Sequence, residues 1–482
     1  MNQATDIFDY VIVGAGSAGS VLANRLCEDG ASVCVLESGP RDRHPYIHIP
    51  AGFIKILSNP KYTWQFKTEA GEPLGGRQIA IPQGRTLGGS SSVNGLVYNR
   101  GQRDDYDNWA ARGNNGWRYA DVLPYFIRSE NRLGLINDRY RGTTGELHIS
   151  DIDWQHPLCD AFIDGVKSLG IPANPDHNAD LQIGVGYYQR TIYKTRRWST
   201  ARAFLHPAER RYRKTLKVIT DAQCHHLLFE DRRAVGVEYC HSGDQDTSNQ
   251  IRARREVIVS AGTVNSARLL QISGIGPGPL LNDLGVPIIA TLPGVGENFQ
   301  DHFGIRMVAA VSNTDSINDR VKLHNLSREA INWALRRPSV LGLSPSLAHV
   351  FWKSRPELQR PDLQFTFTPA SYAEGQVGLL DKFPGVTCGT WQHRPESTGY
   401  VRAKSTNIFD PPAIQPNYLG MESDRRVLLA GIRLARQFLN TDAMRRFSVD
   451  EKQPGAAATS DDDLLDWARE TGSTTYHLVG TC

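Results

Sequence analysis

Asp9-Tyr10-Val11-Ile12-Val13-Gly14-Ala15-Gly16-Ser17-Ala18-Gly19 is the stretch on which the reading of this chain turns. Asp9 to Val13 is a short β-branched run suited to a buried parallel strand. The glycines that follow form a G-x-G-x-x-G. Gly14 permits a tight turn, Gly16 lets the backbone approach a pyrophosphate, and Gly19 allows close helix–strand packing. A helix then begins, with Ser17 and Ala18 in its first turn and its positive dipole end facing the phosphates. Its apolar positions Ala18, Val21, Leu22 and Leu26 recur on one face, which the spacing predicts as the buried one. Ser32 to Glu37 reads as a second strand, so the unit is β-α-β with a right-handed crossover. Glu37 closes that strand, where a carboxylate accepts ribose hydroxyl bonds and disfavours a 2′-phosphate. Strand, helix and acid together point to a dinucleotide site.

The chain has 482 residues, too many for one simple core, so two domains are expected. Its 40% hydrophobic and 22% charged residues fit a globular protein, and a net charge of +3 argues against a nucleic-acid partner. Basic clusters at Arg196-Arg197, Arg210 to Lys214 and Arg252 to Arg255 read as solvated charge beside strands. The seven cysteines are odd in number and none has C-x-x-C spacing, which suggests reduced thiols. The first residues show no secretory pattern, and no run approaches the ~20 apolar residues of a membrane span. The expectation is a cytoplasmic protein, with peripheral contact at the inner membrane left open.

Farther along, Leu216 to Thr220, His226 to Glu230, Ala234 to Tyr239 and Glu256 to Ser260 read as strands. Asp231-Arg232-Arg233 joins the middle two as a hairpin, and a helix starts near Asn265. The first domain's sheet is therefore completed by distant segments. Leu292-Pro293-Gly294-Val295-Gly296 is a Pro/Gly bend, placing the end of that domain near residue 308. Asp424 to Leu439 is an amphipathic helix, and Ser460 followed by three aspartates marks another helix start.

A second glycine-rich run, Gly84-Arg85-Thr86-Leu87-Gly88-Gly89-Ser90-Ser91-Ser92-Val93-Asn94, offers backbone N–H groups, hydroxyls and an arginine. Together with Gly14 to Gly19 it resembles the glucose–methanol–choline (GMC) oxidoreductase family. Further blocks carry the same likeness in order. They are Val97 to Gly101 with Asp107, Gly262 to Gly276, Leu292 to His302, Gln415 to Leu419, and Tyr476 to Cys482. The resemblance is nearest to bacterial alcohol and choline dehydrogenases.

It implies an α/β fold: a Rossmann-like FAD-binding domain and a substrate-binding domain built on a mixed or antiparallel sheet. The expected division is 1–308, 309–471, and 472–482 as the start of a return to the FAD domain. FAD contacts are expected from Gly14, Gly16, Ser17, Ala18, Gly19, Glu37, Arg85, Gly88, Gly89, Ser90, Asn94, Val97 and Gly262. Some family members attach FAD through a histidine just before the loop asparagine. Here Val93 stands there, so non-covalent FAD is expected.

His477 matches the family's catalytic base. An alcohol becomes a good hydride donor only once its hydroxyl proton leaves, and a histidine takes that proton near neutral pH. Leu478 replaces the family's usual proline after it. In the family roughly fifty residues follow, bringing a second catalytic histidine or asparagine, so a C-terminally truncated chain is expected and no second base is assigned. His302 and His393 have no motif to qualify them as substitutes.

The implied activity is oxidation of a primary alcohol (aliphatic, aromatic or choline-like) to an aldehyde, with quinone or another electron acceptor. The alternatives are a lyase of the same fold that cleaves cyanohydrins, or an inactive flavin-binding fragment. No metal site is expected: Cys224, His226, Cys240 and His241 match no zinc spacing. No G-x-S-x-G elbow for a serine hydrolase occurs.

Overall fold

Val11, Ile12, Val33 and Val35 are completely buried because the strands that carry them are covered on both faces. In the computed structural model, which describes residues 6–242, 244–374 and 378–482, they form the centre of a six-stranded sheet. Its order is Leu216–Ile219, Val33–Leu36, Asp6–Val13, Asp244–Val259, Arg233–His241 and Ala222–Glu230. The first four run parallel, and the last two return as an antiparallel hairpin turned at residues 231–232. The expected strands are all present, but the final one is far longer, at 16 residues.

The helix Ser17–Glu28 corrects one expectation. Its buried face carries Gly19, Ser20, Ala23, Asn24 and Cys27, while Ala18 is exposed and Val21, Leu22 and Leu26 are half-buried. Close approach is the reason. A Cβ on Gly19 would stand 1.9 Å from the Gly14 carbonyl oxygen, so only small side chains fit where this helix meets its strand. The larger apolar residues are displaced to the flank.

The second sheet is antiparallel throughout. Its order is Asp450–Gln453, Phe303–Ala310, Gly385–Gln392, Leu363–Thr368, Ala348–Trp352 and Gly184–Tyr187, with Ser473–Thr474 also pairing to Phe303–Gly304. The two-residue alternation of strands divides its faces. Leu363, Phe365, Phe367, Val386, Cys388, Ile305 and Met307 point to one side and are buried under the helices Pro157–Ser168 and Glu422–Leu439. Phe162 stacks on Phe367 at 4.1 Å, and Phe438 meets Phe365 edge-on at 5.0 Å. Each such side chain contributes about 1.5–3 kcal/mol by leaving water. The opposite face presents Gln364, Thr366, Thr368, Thr387, Gly389 and Trp391, and it forms the floor of a cavity.

Phe303–Ala310 is an interior strand of this second sheet and Gly184–Tyr187 is its edge, so segments that begin before residue 308 serve the second sheet. The last residues tie the two halves together. Val479 pairs with Gln300, and Thr481 Oγ1 donates to the Thr263 carbonyl at 2.6 Å, at the start of the helix Gly262–Ile272. No described helix is long and apolar enough to cross a membrane. Cys27, Cys34, Cys159, Cys224, Cys240 and Cys388 are buried free thiols, and Cys482 is an exposed one.

Candidate active site

The two glycine loops meet each other. Gly14 has φ +99°, and a Cβ there would strike the Ser260 carbonyl oxygen at 2.5 Å. Gly88 N–H donates to the Ala15 carbonyl at 2.8 Å. Gly89, at φ +52°, lies so close that a Cβ on it would stand 2.7 Å from Gly16 Cα. A Cβ on Gly16 itself would meet nothing closer than 3.9 Å. Gly89 thus crowds the Gly16 backbone from one side, while the Cβ direction of Gly16 is open.

Glu37 is buried beside this loop. Its Oε2 accepts from Ala15 N–H and its Oε1 from Gly39 N–H, both at 3.0 Å. Burial outweighs these donors and lifts its pKa to about 7. Arg85 lies over the Trp64 ring at 4.9 Å, donates to Ser242 Oγ at 3.2 Å, and leaves a buried Nε without a partner. An open glycine cradle, a helix N-terminus, a buried carboxylate and an unsatisfied arginine nitrogen fit a dinucleotide such as FAD.

Beyond the loops opens a cavity of about 660 Å³. Ser90, Asn94 and Val97 line one wall; Trp391, His393 and His477 line another. Val93 also reaches the wall, packed with Ile47, Ile56 and Tyr62. It carries no nucleophile, in keeping with non-covalent cofactor binding. The structure therefore gathers Gly14 to Gly19, Glu37, Gly88 and Gly89 at one end, and Ser90, Asn94, Val97 and His477 around the cavity. Gly262, at φ +80°, stands next to Thr263, which donates to the Leu478 carbonyl. Arg85 belongs to the Glu37 end and does not line the cavity.

His477 is held by a buried acid. Asp301 Oδ1 accepts from the backbone N–H of both His477 (2.8 Å) and His302 (2.9 Å), while Tyr418 and Thr474 donate to its Oδ2. Burial raises Asp301 to about 6 despite these four donors. The two histidine rings are thereby brought together, with Nδ1 to Nδ1 at 2.9 Å.

Their tautomers follow from one carbonyl. His302 Nε2 lies 2.8 Å from the His393 carbonyl oxygen, which only accepts, so Nε2 carries the proton. Desolvation keeps His302 neutral, so its Nδ1 is a bare acceptor. His477 Nδ1 must then be protonated and donate to it. Thr475 Oγ1, 2.9 Å from the same nitrogen, accepts a share of that proton while its own hydroxyl points to the His302 carbonyl. His477 Nε2 is left as a lone pair with no hydrogen-bond partner among the described residues. His477 is exposed to solvent inside the cavity. Crowding by the surrounding protein, with His302 adjacent, draws its pKa down, to about 3.

Sequence reasoning missed His302, Asp301 and Arg197. His302 and Asp301 close the block Leu292 to His302, so their motif was visible, but nothing in it announced contact with a residue 175 positions away. Arg197 sat within a cluster read as solvated charge, and it is in fact completely buried.

The GMC oxidoreductase family is matched by two models, over residues 8–304 and 395–482. The chain is 38% identical to an alcohol dehydrogenase [acceptor] of Pseudomonas putida, across 99% of this chain and 86% of that protein. It is 37% identical to mitochondrial choline dehydrogenase of Homo sapiens, across 100% of this chain and 81% of that protein. Among solved structures, pyridoxine 4-oxidase from Mesorbium loti superposes with a TM-score of 0.86 at 28% identity, covering 99% of this chain and 89% of that one. The expected C-terminal truncation gains no support, because both family models match and the second extends to residue 482. Fold, loops and matches agree: this chain belongs to the GMC oxidoreductase family, with FAD as its cofactor.

Proposed function

We propose that this protein oxidises a primary alcohol to an aldehyde, with His477 as the base. The observation that carries the reading is the unprotonated, unpartnered His477 Nε2 facing the cavity that opens beside the glycine loops. Gly14, Gly16, Ser17, Ala18 and Gly19 would hold the pyrophosphate of FAD; Glu37 would accept from the ribose. Gly88, Gly89, Ser90, Asn94 and Val97 would pass along the rest of the cofactor, with Arg85 and Gly262 flanking it. Bound non-covalently, FAD supplies the acceptor for the hydride of the carbinol carbon.

His477 Nε2 accepts the hydroxyl proton of the substrate, and His302 Nδ1 stabilises the resulting imidazolium by accepting from Nδ1–H. Asp301, ionised at neutral pH, adds a nearby negative charge and fixes both backbones. The division into 1–308, 309–471 and 472–482 is retained as part of this reading, with 184–187 and 303–308 lent to the substrate sheet. That division puts the base on the return segment, between the two domains.

The cavity favours an uncharged aliphatic or aromatic alcohol over choline. Arg100, Arg306 and Arg394 line it, and among the described lining residues the only carboxylate is Asp105, already bound by Arg394 Nε at 2.8 Å. Arg100 is neutralised by Glu130 and Arg394 by Asp105, which leaves Arg306 as the lining cation without a carboxylate partner among the described residues, so a permanent cation would find no free anion there. The relatives that act on choline make this a distinction worth measuring.

The test is anaerobic titration of the FAD-loaded protein with an alcohol series, followed by absorbance of the flavin. A neutral alcohol should bleach it. His477→Ala should keep FAD and slow bleaching by about 10²–10⁴-fold. Unchanged rates would remove His477 from the mechanism. Cyanohydrin cleavage without bleaching by any alcohol would replace the oxidation with lyase chemistry.

A further inference from the structure

Arg197 is the largest completely buried side chain of the described protein, and nothing negative neutralises it. Four of the other five buried arginines have carboxylate partners, Arg132 through Asp151; Arg268 has none in contact but feels the charge of Asp410, whereas Arg197 has neither. Arg100 and Arg141 share Glu130, Arg141 also meets Asp176, and Arg190 meets Asp153. Arg197 uses only neutral acceptors. Nε donates to the Ile47 carbonyl at 2.9 Å; Nη1 donates to the Ser91 carbonyl at 3.2 Å and to Asn94 Oδ1 at 2.7 Å. Nη2 is buried with no partner. A guanidinium stays charged at neutral pH, although burial pulls this one down to about 9. Leaving such a group uncompensated costs several kcal/mol, so the charge has a use.

Its contacts show where that use lies. Asn94 Oδ1 receives two donors, Arg197 Nη1 and the Leu96 N–H at 3.1 Å. Two donors on one atom identify that atom as the amide oxygen. The Nδ2 amide group is then forced to the other side, free of protein partners, on the wall of the cavity that also contains His477. Asn94 is thereby locked as a donor into the cavity, with a buried positive charge directly behind it.

We propose that Arg197 is a positioning residue that holds Asn94 as a charge-backed hydrogen-bond donor toward the flavin ring, favouring the negative charge that arrives with the hydride. This rests on the functional reading above, in which the ring of FAD extends past Asn94. Arg197 touches neither substrate nor cofactor and acts through the amide.

The experiment compares wild type, Arg197→Met, Arg197→Lys, Asn94→Ala and the Arg197→Met/Asn94→Ala double variant, each loaded with FAD. The readouts are sulfite affinity, which reports stabilisation of negative charge on the flavin, and midpoint potential by dye equilibration. Arg197→Met should bind sulfite at least tenfold more weakly. It should also lose at least tenfold in preference for the reduced form, about 30 mV for a two-electron couple. Asn94→Ala should match it, the double variant should add little, and Arg197→Lys should recover part of the effect. A merely structural role would lower FAD content or thermal stability and leave both readouts unchanged. Unaltered sulfite affinity and potential in FAD-loaded Arg197→Met, or fully additive effects in the double variant, would overturn the proposal. Should Arg197→Met fail to fold, Asn94→Ala and Arg197→Lys decide alone: no change in either refutes it. A wild-type protein that retains no FAD would instead sink the functional reading.

Discussion

Gly16→Val separates cofactor binding from folding. A Cβ at Gly16 meets only Gly89 Cα, at 3.9 Å, and the residue has φ −71°, which any L-residue adopts. Restricting the unfolded chain adds about 0.4–1 kcal/mol of stability. Losing glycine from a helix N-cap costs about as much, so the apoprotein should unfold near the wild-type temperature. FAD at a hundredfold excess over its Kd stabilises wild type by about 2.7 kcal/mol, and Gly16→Val should lose that increment because the valine occupies the phosphate's place. Gly19→Val is the contrast. Its Cβ would lie 1.9 Å from the Gly14 carbonyl oxygen and 2.9 Å from Ser260 Oγ. It should destabilise the apoprotein itself by about 1–3 kcal/mol or more. The assay is thermal unfolding with and without FAD, beside flavin content after gel filtration. Full FAD occupancy in Gly16→Val, or an apoprotein as damaged as Gly19→Val, would refute the placement of the pyrophosphate.

Three further outcomes follow from the site. Glu37, raised to about 7, keeps its proton in the folded apoprotein between pH 4.5 and 7 while the unfolded chain releases it. Its contribution is therefore full below pH 4.5 and lost as pH rises through 7, about 3 kcal/mol in all. Glu37→Gln should flatten apoprotein stability across that window in denaturant titrations and weaken FAD binding about tenfold or more; an unchanged slope would contradict the burial argument. His477, drawn down to about 3, stays neutral well below the usual histidine range, so kcat/KM should remain level from pH 8 to pH 7, above the range near 6 in which Asp301 takes up its proton. A break at or above pH 7 assigned to the free enzyme, and kept in Asp301→Asn, would show that His477 is not so depressed. His302→Phe should release the His477 tautomer and lower flavin reduction about tenfold with FAD content unchanged; wild-type rates would leave the tautomer to Thr475 alone.

The dinucleotide end of the site was readable because its residues are neighbours in sequence. Strand, G-x-G-x-x-G, helix and Glu37 form one local unit, and each glycine answers a constraint set within a few bonds of it. The helix face was misjudged for a related reason. Apolar periodicity counts hydrophobic residues, whereas the contact at Gly19 selects for small ones. The second sheet's fold class was implied by family likeness, but its two-faced alternation, with phenylalanines under helices and threonines over the cavity, only makes sense once the strands are in register.

By itself the sequence determined the family and its FAD cofactor, the strand–glycine–helix unit that ends in Glu37, and the absence of a nucleophile at Val93, and it offered His477 as the base proposed above. Tertiary structure alone brought His302 against His477 and placed Asp301 beneath both backbones, the arrangement from which the His477 tautomer is inferred. It alone revealed Arg197 as a buried charge behind Asn94 rather than part of a solvated cluster. The difference is physical: turn geometry is written in local steric terms, whereas protonation state, desolvation and hydrogen-bond direction depend on which distant groups share a cavity.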